Sequence, residues 1–204
     1  MLENVPAVAN APVLERHLEI LANMKYSVAS RTISYADYGA ATRRRRYFAI
    51  GFRNRVVPFF KLLSDYSKPP RTVRDAIWKL REREKGSLPD HEWFDFRTIH
   101  KYRKYYRTGK YGWYALDWDQ PAPSFGNVAK TYILHPDAAN GQSRVISIRE
   151  ALSIMGFNSH FQFPKGISLR NRYQMVADTV SPVVSIAMAK VFREIIQNWD
   201  GKGA

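Results

Sequence analysis

The 204-residue sequence predicts an α/β fold: part of an open sheet, then a small loop-rich module, then a closing helical segment. Three observations carry this. Residues 1–66 read in the order strand, helix, strand, strand. Residues 86–140 change texture, with aromatics crowded between basic residues and repeated Gly and Pro. Capping signals then reappear at Ser147 and Ser181, each opening a helix. The expected segments are 1–66, 67–146 and 147–204.

The first elements follow from periodicity. Leu14, Leu18, Leu21 and Met24 recur at helical spacing, which predicts an amphipathic helix over 12–25. Tyr26 to Ser34 alternates loosely and ends in β-branched residues, as a strand does. The run Tyr47-Phe48-Ala49-Ile50-Gly51-Phe52 is short, apolar and flanked by arginines, so it reads as a buried strand entered from a basic loop. Lys68-Pro69-Pro70 breaks the chain. Thr72 and Asp75 form a capping box for a helix carrying Val73, Ala76, Ile77 and Leu80. A second box, Ser147 with Glu150, opens a helix that should stop at Gly156. Ser181-Pro182 starts the last helix, with proline at its favoured first position and Val183, Ile186, Ala187, Val191 and Ile195 on one face.

Charge narrows the function. Lys and Arg number 32 against 18 Asp and Glu, a net +14. Between Arg43 and Lys110 there are 20 basic and 7 acidic residues, a net +13. A solvated face does not need such localisation, whereas a surface that tracks phosphates does. The exposed candidates are Arg43 and Arg45 in the arginine run, and Lys101, Arg103, Lys104, Arg107 and Lys110 interleaved with Tyr102, Tyr105, Tyr106, Tyr111, Trp113 and Tyr114. Some of these aromatics would form the core of the module. The chain has no cysteine, which removes disulfides, thiolate metal sites and a cysteine nucleophile from these residues. The five histidines show no ligand spacing, so no metal site is expected, and His135 and His160 read as ordinary loop residues. Residues 1–25 lack a basic start and apolar run, and no stretch approaches membrane-spanning length. A soluble, cytoplasmic protein is the expectation.

Read alone, Glu3 is a solvated terminal residue and Arg43 to Arg46 a solvated basic loop. Alternation on an extended chain would nevertheless send Arg44 and Arg46 the same way, as an anion clamp. In order along the chain, five blocks resemble DNA cytosine-5 methyltransferases. Glu3-Asn4-Val5 is similar to the family's Glu-Asn-Val motif. Asp37-Tyr38-Gly39 through Arg44 and Arg46 is similar to its Asp-Tyr-Gly turn and Gln-x-Arg-x-Arg, with Thr42 in place of the glutamine. Trp118-Asp119-Gln120-Pro121-Ala122-Pro123-Ser124 resembles a segment of the target-recognition region. His135-Pro136, then Arg144 to Ala151 and Met155 to Phe157, resemble the block that organises that region, while Arg149 and Glu150 themselves read as architectural, an ion pair within a capped helix. Arg172 to Pro182 resembles the closing motif, with Ala177 and Asp178 replacing Gly and Asn.

The resemblance implies a partial Rossmann-like methyltransferase sheet with a target-recognition domain across a cleft. It implies that Glu3 contacts a flipped cytosine, that Arg46, with Arg44 behind it, holds the base carbonyl or a phosphate, and that Asp178, Thr179 and Val180 border S-adenosylmethionine. Ser124 joins the DNA-facing set. The family's cofactor loop and Pro-Cys-Gln nucleophile have no counterpart before Glu3. The expectation is therefore one half of a split enzyme, inactive alone, that binds double-stranded DNA and shares its cofactor with an amino-terminal subunit. The alternative is a catalytically dead remnant that only binds DNA. Either would be prokaryotic or phage-encoded and nucleoid-associated, in a restriction–modification setting. An exposed sheet edge should mark where the missing strands belong.

Overall fold

The computed structural model describes residues 1–141 and 143–200, with the side chains of Tyr111, Ala139 and Asp200 outside the description. Three strands form the sheet: β1 (Leu2–Asn4), β2 (Tyr26–Ser34) and β3 (Arg45–Arg53). Their spatial order is β1-β3-β2, and β3 runs antiparallel to both neighbours. The outer edge of β1 carries no further strand among the described residues.

The register assigns every side chain to a face. Glu3 pairs with Phe48, and Ile33 pairs with Arg46. Period-2 alternation therefore puts Glu3, Ile33, Arg46, Phe48 and Ile50 on one side. Leu2, Val28, Tyr47 and Ala49 point the other way, where they pack with Leu14 and Leu18 of helix α1 (Pro12–Asn23). The Phe48 face is covered by helices α2 (Phe59–Ser64) and α7 (Pro182–Asp200). There Phe52, Phe59 and Phe192 pack as tilted rings, with Phe59 and Phe192 centroids 4.7 Å apart.

Helix α3 (Val73–Ile77) starts at the Thr72–Asp75 capping box and passes into a 3-10 turn at Trp78–Leu80. The central module has little regular structure. It holds 3-10 turns at Ile99–Tyr105 and Lys110–Gly112, the two-residue strands β4 (Tyr114–Ala115) and β5 (Ile133–Leu134), and the single turn of α4 (Val128–Thr131). Aromatic packing replaces ladders here. Trp113 stacks on Tyr132 at 4.3 Å and on Tyr102 at 5.4 Å, and the Tyr106 hydroxyl donates to the Ile99 carbonyl at 2.7 Å. One buried cluster runs from Ile33 to Ile195 and includes residues of all three expected segments.

Helix α5 (Ile148–Met155) is the most buried helix end to end, and its Ser147–Glu150 capping box is complete. It stops at Gly156, whose φ of 91° suits glycine, and a Cβ there would lie 3.1 Å from Val183. Helix α6 (Leu169–Asp178) was not expected from the sequence. Most of its residues are polar; Tyr173, Val176 and Ala177 are buried, Leu169 packs against the core, and Arg172 adds ion pairs to Asp90 and Glu92. Asp178 is the last residue of α6, and α7 begins at Pro182 as predicted.

His135 departs from its expected role. It is fully buried, against Trp118 at 5.2 Å and with Nε2 3.7 Å from Glu150. Burial pushes its pKa down to about 4, with Glu150 pulling the other way. His160 is exposed, as expected of a loop residue.

Candidate functional site

The hairpin of β2 and β3 builds the site. A 3-10 turn at Tyr35–Asp37 reverses the chain, and Gly39 adopts φ 88° to complete the bend. The returning segment docks at once. Ala41 N–H donates to Ile154 O, Arg43 N–H to Ala122 O, and Ala122 N–H back to Ala41 O. Thr42 is fully buried and donates its hydroxyl to the Pro123 carbonyl at 3.2 Å. This stitching, a parallel bridge between Thr42 and Ala122, joins the sheet to the central module.

Arg46 then emerges on the Phe48 face, and its Nε lies 3.2 Å from a Glu3 carboxylate oxygen. The pair keeps some access to solvent: the side chains are 15% and 30% exposed. It is a carboxylate and a guanidinium held together on a rigid antiparallel ladder. Such a pair can offer an acceptor and several donors to one planar polar ligand.

Arg44 sits behind this pair and is buried at 3% exposure. Its two terminal nitrogens donate to backbone carbonyls, at 3.0 Å to Phe125 and in a short bond to Ala177. It therefore braces three segments: the start of β3, the loop after Ser124 and the end of α6. Ala177 carries one of the last carbonyls of α6, so the guanidinium also caps that helix. Burial, then the charge of Arg46, lowers the Arg44 pKa, while Tyr35 and Glu3 raise it.

Just beyond Ala177 lies the turn Asp178-Thr179-Val180. Asp178 is exposed, and Gln174 Nε2 donates to both its carboxylate oxygens at 2.9 Å. Gln174 in turn accepts from Asn127 at 3.0 Å. The Ser181 hydroxyl anchors the following helix start on the Met155 carbonyl. An oriented carboxylate, a hydroxyl and backbone edges fit one side of a ligand with hydroxyls and an amino group.

The basic candidates divide by position. Arg43 and Arg45 are exposed, and Arg43 donates to Gln120 at 2.6 Å. Lys101, Arg103, Lys104, Arg107 and Lys110 are all exposed on the 3-10 turns around Ile99–Gly112, and Ser124 is exposed beside Phe125. Tyr106 and Trp113 are core, and Tyr102, Tyr105 and Tyr114 are half-buried. Tyr111 lies outside the described side chains. The set thus forms two groups, one at the arginine run and one on the central module.

Arg149 and Glu150 are architectural, with partners that spacing did not give. Arg144 forms a two-point ion pair with Glu150 at 2.7 and 2.8 Å. Arg149 and Arg172 both reach Asp90, at 3.3 and 3.0 Å. Burial opposes ionisation of Glu150, but the hydrogen bonds and charge of Arg144 outweigh it and keep its pKa low. Among the described residues no His, Asp and Glu cluster could hold a metal ion, and no single helix is long and apolar enough to cross a membrane.

The family model for C-5 cytosine-specific DNA methylases matches residues 1–194. The chain belongs to that family. The type II methyltransferase M.FnuDI of Fusobacterium nucleatum is 26% identical over 227 residues, covering 96% of this chain and 64% of its own length. M.HgiDII of Herpetosiphon aurantiacus is 24% identical over 236 residues, covering 97% and 64%. The chain thus spans less than two thirds of the length of these curated relatives. Among solved structures, the Dnmt2 methyltransferase of S. pombe is similar with a TM-score of 0.71 at 14% identity, covering 96% of this chain and 66% of that one. A putative DNA modification methyltransferase encoded within an E. coli prophage gives 0.69 at 19% identity, covering 96% and 68%. These likenesses show the fold, a Rossmann-like methyltransferase fold of which this sheet is a part. S-adenosylmethionine is the cofactor of this methylase family.

Proposed function

We propose that this chain is the cytosine-pocket and DNA-reading part of a DNA cytosine-5 methyltransferase, completed by a second subunit that carries the cofactor loop and the Pro-Cys-Gln nucleophile. The observation that carries this reading is the Glu3–Arg46 pair on the sheet, in a family chain whose 204 residues hold no cysteine. A flipped cytosine offers a ring nitrogen, an amino group and a carbonyl. Glu3 would meet the nitrogen and amino edge, and Arg46 the carbonyl or a neighbouring phosphate. The two would stabilise charge on the ring as the partner's thiolate adds to it. Arg44 would brace rather than touch the base, since its terminal nitrogens already have carbonyl partners.

Asp178, Thr179 and Val180 would hold one side of S-adenosylmethionine, which supplies the methyl group. Residues 67–146 would serve as the recognition module. Lys101, Arg103, Lys104, Arg107, Lys110, Arg43 and Arg45 would contact phosphates, with Ser124 near the groove. The bacterial and archaeal relatives support a prokaryotic or phage-encoded protein working in the cytoplasm on nucleoid DNA.

Thr42, Ala177 and Asp178, which stand where the family has Gln, Gly and Asn, favour a second reading, a module that binds DNA without catalysis. The deciding experiment measures transfer of labelled methyl groups to DNA by the chain alone, by a candidate partner alone and by their mixture. Activity only in the mixture is expected. Activity from the chain alone would sink the proposal. DNA binding with no activity in any mixture would leave the second reading.

A further inference from the structure

Among the described residues, four buried side-chain polar atoms lack a hydrogen bond of good geometry, and two of them belong to facing residues. These two are the Tyr35 hydroxyl and Arg44 Nε. Tyr35 is fully buried and Arg44 is 3% exposed. Tyr35 N–H donates to Arg44 O at 2.9 Å, which extends the β2–β3 register by one pair beyond Ser34–Arg45. Tyr35 and Arg44 therefore stand opposite each other, on the same face as Ile33, Arg46 and Glu3. A guanidinium Nε–H must find an acceptor when buried, and a hydroxyl supplies one. The charges that act on the Tyr35 hydroxyl are Arg44, Glu3 and Arg46, so it lies within the field of the whole candidate pocket. Burial keeps it protonated, able to accept from one group and donate to another.

We propose that Tyr35 is a positioning residue, whose hydroxyl accepts from Arg44 Nε and fixes the guanidinium that locates the Ser124 loop and the 178–180 turn against Glu3 and Arg46. The functional part of this rests on the methyltransferase reading above. Arg44 holds Phe125 O and Ala177 O through its terminal nitrogens. Nε is the third point, and three points stop the planar group from rotating. Without it, both flanking segments can shift together relative to the pocket. Displacements near an ångström in a reacting geometry cost rate far more than they cost binding.

The test uses the full chain, alone and mixed with its completing subunit. In Tyr35→Phe the ring stays and the hydroxyl goes. A kcat lower by about 10- to 100-fold is expected, the worth of one hydrogen bond to a charged group. The KM for DNA should move less than about twofold, because the phosphate contacts lie elsewhere. Arg44→Lys removes Nε together with both terminal nitrogens and should lower kcat at least as far, and adding Tyr35→Phe to it should lower kcat no further. In the chain alone, hydrogen exchange of the Arg44 Nε–H, read by nitrogen-15 NMR, should be slow and should accelerate in Tyr35→Phe. Unchanged exchange overturns the pairing. A lower melting temperature with unchanged kcat makes Tyr35 merely structural and overturns its role. Additive effects in the double variant do the same. If the wild-type mixture transfers no methyl group, the methyltransferase reading fails by itself, and the exchange experiment still decides whether Tyr35 holds Arg44.

Discussion

Arg46 reaches Glu3 across the β1–β3 ladder, with Nε 3.2 Å from the carboxylate. The two sit on neighbouring strands but not directly opposite, since Glu3 pairs with Phe48. This diagonal contact needs a long side chain, which arginine supplies. Solvent-accessible pairs of this kind contribute little to folding, about 0–1 kcal/mol.

The pair can therefore be altered without unfolding the protein. In Glu3→Gln the melting temperature should stay within a few degrees of wild type. Methyl transfer by the completed enzyme should fall by about 10²–10³-fold, the scale seen when one charge-stabilising group is lost. Measuring both on one preparation separates the roles. A large drop in stability with activity intact would make the pair a scaffold contact.

Much of the hairpin was legible from sequence, because period 2 and period 3.6 are local. The alternation of Arg44 and Arg46 gave their common face, and both capping boxes formed as read. What stayed hidden depends on contacts distant in sequence. Arg44 meets Ala177 across 133 residues, and no spacing rule reports that. Helix α6 escaped notice because its short apolar stripe, Leu169, Tyr173, Val176 and Ala177, is set among polar residues such as Arg172, which ties it to Asp90 and Glu92. His135 looked like a loop residue because burial is a property of the fold. Tyr35 became visible only once the register set it opposite Arg44.

Glu150 is the buried anchor of the central network. Its side chain is fully buried and meets Arg144 at two points. Glu150→Gln leaves the Arg144 charge without its counter-ion. A loss of about 3–5 kcal/mol is expected, read as a lower urea midpoint with an unchanged slope. The pocket residues are elsewhere, so folded Glu150→Gln at low temperature should keep its DNA affinity.

His135 gives folding stability a defined pH dependence. Its folded pKa is about 4 against 6.5 for the ordinary side chain. Between these values the unfolded chain takes up a proton that the folded chain refuses, so stability falls as pH drops from 6.5 to about 4. The full effect is about 3 kcal/mol. His91 is also lowered, chiefly by burial, and adds to the same slope. Glu150 acts below that window. Its contribution is whole above about 4.5 and is lost as pH falls through its lowered folded value. Urea midpoints at pH 7 and pH 4.5 should differ, and His135→Gln should flatten the difference. An unchanged slope in that variant would assign the titration to another group.

The salt dependence of DNA binding tests the basic surface directly. Each phosphate neutralised by a lysine or arginine releases counter-ions, so log affinity falls with log salt by about 0.9 per contact. Lys101, Lys104 and Arg107 are exposed on the 3-10 turns, and their removal leaves the Tyr102–Trp113–Tyr132 stack in place. Replacing all three with alanine should reduce the slope by about one unit each. Affinity should weaken similarly for any DNA sequence, because phosphate contacts position the duplex without reading it. Fluorescence anisotropy across a salt series measures both quantities. A slope unchanged by the triple variant would move the phosphate-tracking surface to the arginine run at Arg43 and Arg45.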